Sequence, residues 1–147
     1  MSSESERKIV SCLNKNARKS YREIARETGI SVPAVIQTIR KLEEAGAIRG
    51  YVPLLNPEYF GFGLMAVIVL RISQGKLLET QKKIAEDRRV MAVFDVTGDW
   101  DSVLIGCFSD RQDLNQFIKK VLSLKYIDRT VTQLVLNVVK NDPRFPV

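Results

Sequence analysis

The chain has 147 residues, 45% of them hydrophobic, and a net charge of +6 with no histidine. That length and composition suit one globular domain or two small ones, and the missing histidine removes the commonest general base and metal ligand, which counts against most enzyme chemistries. The longest apolar run, Leu64–Leu70, is too short to span a bilayer, so no membrane partner is expected. The polar, acidic start is no apolar signal segment. Cys12 and Cys107 stand alone in different halves and match no disulfide or metal spacing. A cytoplasmic chain with two buried, reduced thiols and no cofactor is therefore expected. Residues 1–50 hold 10 Lys/Arg against 6 Asp/Glu, and residues 51–147 hold 13 against 11. The basic excess leans toward the N-terminal half, as an electrostatic footprint for DNA would.

Ser3 and Glu6 have capping-box spacing and open a first predicted helix with Ile9, Val10 and Leu13 as its buried stripe. Ser20 and Glu23 repeat the capping box before a second helix, on which Tyr21, Ile24 and Ala25 share a buried face. Thr28-Gly29-Ile30-Ser31 breaks that helix, with Gly29 suited to a left-handed turn and Ser31 to a cap. Pro33 falls in the first turn of a third helix, where a missing N–H does no harm. Val35, Ile36, Ile39 and Leu42 point inward from this helix and leave Gln37, Thr38, Arg40 and Lys41 outside. A short basic helix presented this way fits a DNA major groove. The same helix pair also occurs as a plain packing unit.

Gly46 stops the third helix, and Ala47–Pro53 reads as extended. Leu54–Gly61 mixes proline, asparagine and glycine as a linker does. Beyond it the pattern predicts strands over 64–73, 90–97, 101–108 and 130–139, with helices over 76–87 and after a Ser109–Gln112 cap. Leu77, Leu78, Ile84 and Ala85 line one side of the first of these helices. Leu114, Phe117, Ile118, Val121 and Leu122 line the second. The order β-α-β-β-α-β is ferredoxin-like. The second predicted strand puts Val90, Ala92, Phe94 and Val96 on one face and Met91 and Val93 on the other, and the third opposes Val103, Ile105 and Cys107 to Leu104 and Phe108. A two-layer unit covers only one sheet face with helices. A second copy of the sheet is the simplest cover for the other, so a homodimer is expected. Gly98-Asp99-Trp100-Asp101 joins the middle strands. It is ordinary hairpin chemistry, and equally a carboxylate beside an exposed glycine backbone that could hold an ammonium group.

Asn16-Ala17-Arg18, Glu23-Ile24-Ala25, Gly29-Ile30-Ser31, Leu42–Tyr51 and Gly98–Asp101 stand in an order and spacing that resembles the Lrp/AsnC, or feast/famine, family over essentially the whole chain. The resemblance implies an α+β architecture: a (winged) helix-turn-helix domain over 1–50, a linker over 51–62, and a ferredoxin-like effector-binding and oligomerisation domain over 63–147. It further implies a cytoplasmic transcription regulator that binds double-stranded DNA, forms dimers and higher oligomers of dimers, and senses an amino acid or related metabolite. The DNA-contacting set it implies is Ser20, Tyr21, Arg22, Ser31, Pro33, Ala34, Gln37, Thr38, Arg40 and Lys41. Gly98, Asp99, Trp100 and Asp101 would lie at the effector site, with Thr132 and Gln133 of the last strand adding polar contacts. Thr38 departs from the family, which usually carries arginine there. Arg40 lies about 200° further around the helix and is no equivalent replacement. Two rival readings are a sirohaem-decarboxylase-like enzyme of the same fold, disfavoured by the absence of histidine, and a protein-interaction module indifferent to DNA.

Overall fold

Two serine-led capping boxes start the chain's first two helices. The computed structural model describes residues 2–73 and 75–147. Contacts divide it into two units, Met1–Leu54 with Lys140–Val147, and Leu55–Val139.

In the first unit, α1 runs Glu4–Lys15, α2 Tyr21–Thr28 and α3 Val32–Glu44. The Ser3 hydroxyl accepts from the Glu6 N–H at 3.2 Å while the Glu6 carboxylate accepts from the Ser3 N–H at 2.7 Å. Ser20 and Glu23 repeat the exchange at 3.3 and 2.7 Å. Each box satisfies donors that a helix start leaves unpaired, a contribution of about 1 kcal/mol. Gly29, at φ +71°, ends α2 in the left-handed conformation, where a side chain would be strained. Ser31 stands at the N-cap of α3, but its side chain makes no capping bond. Pro33 sits inside the first turn.

The core of this unit is Ile9, Cys12, Ile24, Val35 and Ile39, with Leu13, Ala25 and Ile30 at its margin. Three expected core residues lie outside it: Val10 is half-buried, Tyr21 is 47% exposed and Ile36 43%. Three helices this short enclose about one side chain per turn, and Val35, Ile39 and Leu42 already fill the inner stripe of α3. The extended segment after α3 pairs with no strand among the described residues. Residues 140–147 group with the helices, the Asn14 side-chain amide donating to the Phe145 carbonyl at 2.9 Å.

The second unit opens with one 3₁₀ turn, Glu58–Phe60, followed by β1 (Leu64–Ile72), α4 (Leu77–Ala85), β2 (Val90–Asp95), β3 (Ser102–Phe108), α5 (Arg111–Leu122) and β4 (Ile127–Leu134). The sheet order is β2-β3-β1-β4 with every neighbour antiparallel. One sheet face and the two helices bury Ala66, Ile68, Leu70, Ile72, Ile84, Leu104, Phe108, Leu114, Phe117 and Val121. Gly106 belongs to this packing, because a Cβ there would stand 2.8 Å from Cζ of Phe108. Gln81 of α4 donates to the Ser102 hydroxyl at 3.1 Å, which donates to the Phe94 carbonyl at 3.0 Å. A polar chain thus ties α4 to the sheet.

Several expected details change. A register shift between Val90 and Ala92 breaks the simple alternation of β2, so Val90 and Val93 both pack on the helix-side core. Ala92 and Phe94 pair with Ile105 and Val103 on the other face. The bulge inserts one residue and thereby moves Val90 across the sheet. β4 begins at Ile127, not 130, and ends at Leu134, with one further bond from the Val135 N–H to the Met65 carbonyl. Asp110, not Ser109, caps α5, its carboxylate accepting from the Asp113 N–H at 2.8 Å. Leu78 and Leu122 are exposed, at 64% and 49%, and Ala85 is exposed too. Each lies at the edge of a stripe already filled by Ile84 or by Phe117 and Val121.

Candidate nucleic-acid interface and ligand site

α3 presents Pro33, Ile36, Gln37, Arg40 and Lys41 as exposed side chains, with Ala34 and Thr38 half-buried at its flanks. Ser31 is exposed at its N-terminus, and Ser20, Tyr21 and Arg22 are exposed at the start of α2. The charges on α3 are paired. Arg40 Nε donates to Glu44 Oε1 at 2.9 Å, one turn on. Lys41 Nζ donates to Glu6 Oε1 at 2.9 Å and so ties α3 to α1. Lys41 first, and then the Ser3 N–H, hold the Glu6 carboxyl below its ordinary range. Among the described residues, Arg18, Arg22 and Arg26 make no ion pair, and all three are exposed at α2 or just before it. Arg18, Arg26 and Ile36 are functional candidates that helical periodicity did not single out. Charge counts do not separate paired from unpaired cations, and the 3.6-residue repeat assigned Ile36 to the core.

At one end of the sheet, the Asp101 N–H donates to the Leu70 carbonyl at 3.0 Å and its carboxylate accepts from the Ile72 N–H at 2.8 Å. Arg71 approaches the same carboxylate at 3.8 Å and donates to the Asp99 carbonyl. Asp101 therefore pins the loop to β1 and is not an open carboxylate. The Asp99 side chain is exposed, as is Gly98, whose φ is +111°. Trp100 stacks under the Arg129 guanidinium at 5.4 Å. Arg129 is the register partner of Arg71, so two arginines stand side by side on neighbouring strands. Thr132 and Gln133 do not join this group. Thr132 pairs with Ile68, whose side chain is in the helix-side core, and Gln133 pairs with Val67. Four residues separate Gln133 from Arg129, about 13 Å along a strand. Arg71 and Arg129 take the place expected for the polar pair.

The sheet face away from α4 and α5 carries Met65, Val67 and Val69 of β1, Val103, Ile105 and Cys107 of β3, Ala92 and Phe94 of β2, and Val131 of β4, by register. Phe94 is 51% exposed and the neighbouring Met91 56%. Burial raises the Cys107 thiol above its ordinary value. Elsewhere, a surface hollow of ≈ 530 Å³ is lined by Phe62, Glu86, Asp87, Arg88, Arg89, Ser109, Asp113 and Lys120. Its charged groups bond chiefly to one another. Among the described residues, no cluster of His, Cys, Asp or Glu could hold a metal ion, and no helix is long and apolar enough to cross a membrane.

A three-helix unit with an exposed third helix, joined to a four-stranded βαββαβ unit, defines a two-part transcriptional regulator: a DNA-binding head and a ligand-binding body. Residues 2–49 match winged helix-turn-helix DNA-binding domains, and residues 65–145 match the Lrp/AsnC ligand binding domain. The chain belongs to the Lrp/AsnC family. It is 43% identical over 144 residues, 98% of each chain, to an uncharacterized HTH-type transcriptional regulator of Pyrococcus abyssi. To an HTH-type transcriptional regulator of Methanocaldococcus jannaschii it is 36% identical over 141 residues, 95% of each chain. Its fold superposes with a TM-score of 0.91 on a Neisseria meningitidis transcriptional regulator solved as a complex with L-Met. That pair is 26% identical, covering 99% of this chain and 97% of the other. Each of these relatives is named a transcriptional regulator.

Proposed function

We propose that this Lrp/AsnC-type regulator acts in the cytoplasm as a homodimer, or as a higher oligomer of dimers, that binds duplex DNA through α2 and α3 and is tuned by an amino acid or related metabolite. The observation that carries the oligomeric part is the apolar sheet face without a helix over it. Val67, Val69, Val103 and Ile105 form a contiguous patch at its centre, and monomeric proteins rarely leave such patches to water. Twofold pairing of the patch would also supply two α3 helices, which suits palindromic half-sites spaced by whole turns of DNA, about 10 bp or multiples.

The effector part rests on chemistry of both signs around Trp100. Arg71 and Arg129 offer cations to a carboxylate, Asp99 offers a carboxylate to an ammonium group, and the indole offers an apolar wall. The L-Met complex of the Neisseria protein supports the same class of ligand. The domain division proposed is a DNA-binding head over 1–50, a linker over 51–62 and an effector domain over 63–147, with residues 140–147 packed on the head. Sedimentation and footprinting on the DNA upstream of the chain's own gene, with and without a panel of amino acids, test the reading. We expect a dimer or larger species at micromolar concentration, and a Val67→Asp variant that sediments as monomer. A monomeric wild type would refute the oligomeric part. A footprint and binding isotherm unmoved by every amino acid would refute the effector part.

A further inference from the structure

We infer that Ile36 is a specificity-determining residue of α3, its side chain packing against the C5-methyl group of a thymine in the operator half-site; this inference rests on the proposed DNA-binding role of that helix. Helical periodicity assigns Ile36 to the core, yet it stands 43% exposed. Pro33 lies one turn before it, Gln37 beside it and Arg40 one turn after it, all exposed. A lone surface isoleucine is ordinary. Here the isoleucine sits at the middle of a 13-residue helix whose outward cations are each matched by a carboxylate, Arg40 by Glu44 and Lys41 by Glu6.

The outer face of α3 therefore carries an aliphatic pair, Pro33 and Ile36, with Gln37 beside it and the Glu44-paired Arg40 one turn on. In a major groove the thymine methyl is the apolar group that such a pair can cover. Gln37, next to Ile36, is of the type that bonds adenine N6 and N7. The usual reader of guanine is an unencumbered arginine aimed at O6 and N7, whereas Arg40 has its Nε on Glu44. The half-site under α3 is thus expected to present a thymine to Ile36, with an adenine within reach of Gln37.

The test uses the full chain, wild type and Ile36→Ala. Duplexes are first enriched from a random pool by the wild type. Each thymine of the enriched half-site is then replaced singly by deoxyuridine, which removes the methyl group and leaves pairing intact. Affinities are read by anisotropy at one fixed salt concentration. We expect one thymine per half-site at which uracil weakens wild-type binding about four-fold, the worth of one buried methyl group. At that position Ile36→Ala should no longer distinguish thymine from uracil. The uracil scan on wild-type protein stands even if the variant folds poorly. No responsive thymine, an equal response in folded Ile36→Ala, or an enriched half-site without thymine would overturn the inference alone. Failure of the wild type to enrich any duplex would overturn the DNA-binding reading and this inference with it.

Discussion

Replacing Asp87 by asparagine should destabilise the sheet unit at neutral pH and do so less in acid. Asp87 follows α4, with its side chain only 7% exposed. Its carboxylate accepts two bonds of 2.8 Å from the Arg89 guanidinium, one of 3.2 Å from the Arg89 N–H and one of 3.0 Å from Lys120. Arg89 continues to Asp113 at 2.6 Å and lies over the Phe117 ring at 5.2 Å. The network thereby joins the α4–β2 turn to α5. Removing one partner of a buried pair costs about 3–5 kcal/mol. Arg89 keeps Asp113, so about 2–3 kcal/mol is expected at pH 7. For a unit of this size that is roughly a 10–20 °C fall in the melting temperature.

The Arg89 guanidinium, above all, holds the Asp87 carboxyl well below the ordinary carboxylate range, with Lys120 assisting and burial opposing. A depressed folded value stabilises the protein above the unfolded value of about 3.9. That stability is lost as pH falls toward the folded value. Asparagine does not titrate, and the other carboxylates are common to both proteins. The gap between them should therefore narrow by about 1 kcal/mol between pH 5 and pH 3, as the unfolded Asp87 takes up its proton. Urea melts at a series of pH values, followed by a signal from the sheet unit, provide the measurement. A gap as large at pH 3 as at pH 7 would show that asparagine acts through packing and not through charge. A gap under about 0.5 kcal/mol at pH 7 would place the network on the surface energetically.

Arg22→Ala and Arg26→Ala should each flatten the log–log salt dependence of DNA binding by about 0.9, the value of one phosphate contact, whereas Arg40→Ala, already paired with Glu44, should change it by less than half as much; equal slopes for all three would refute the division. Gly106→Ala should cost about 1–3 kcal/mol in urea unfolding, because the new methyl group stands 2.8 Å from the Phe108 ring; an unchanged midpoint would mean that the ring moves aside freely.

Local chemistry was legible wherever one residue type has one structural use. The Ser-x-x-Glu boxes, Gly29 and the β-α-β-β-α-β order follow from caps, a left-handed turn and hydrophobic periodicity. Less legible was whatever depends on two distant residues at once. The bulge that carries Val90 to the helix side arises from register with β3, which no single strand displays. Asp110 displaced Ser109 as the cap of α5 by one position, since the Asp113 N–H lies within reach of its carboxylate. At the candidate ligand site the turn was visible as Gly98–Asp101, but its neighbours were not. Arg129 meets Trp100 because β4 starts three residues earlier than its pattern suggested.

Charge shows the same limit with a functional consequence. Lys41 and Arg40 look like the phosphate-binding pair of the third helix, yet each is matched by a carboxylate, one on α1 and one a turn away. Of the exposed cations of this unit without such partners, Arg18, Arg22 and Arg26 belong to α2 and the turn before it, Arg7 and Lys15 to α1, and Arg49 to the segment after α3. On the proposed reading, attraction and discrimination therefore sit on different helices. α2 supplies most of the salt-sensitive, sequence-independent affinity, and Ile36 and Gln37 of α3 supply preference among base pairs. Phosphate contacts orient a protein on the duplex without reading it, while base-edge contacts read it. Substitutions on α2 should then lower affinity for all duplexes alike. Those at Ile36 and Gln37 should reorder the preferred sequences at nearly constant non-specific affinity. Thr38, half-buried at the flank of α3, fits this separation, because that position adds no cation to the reading helix.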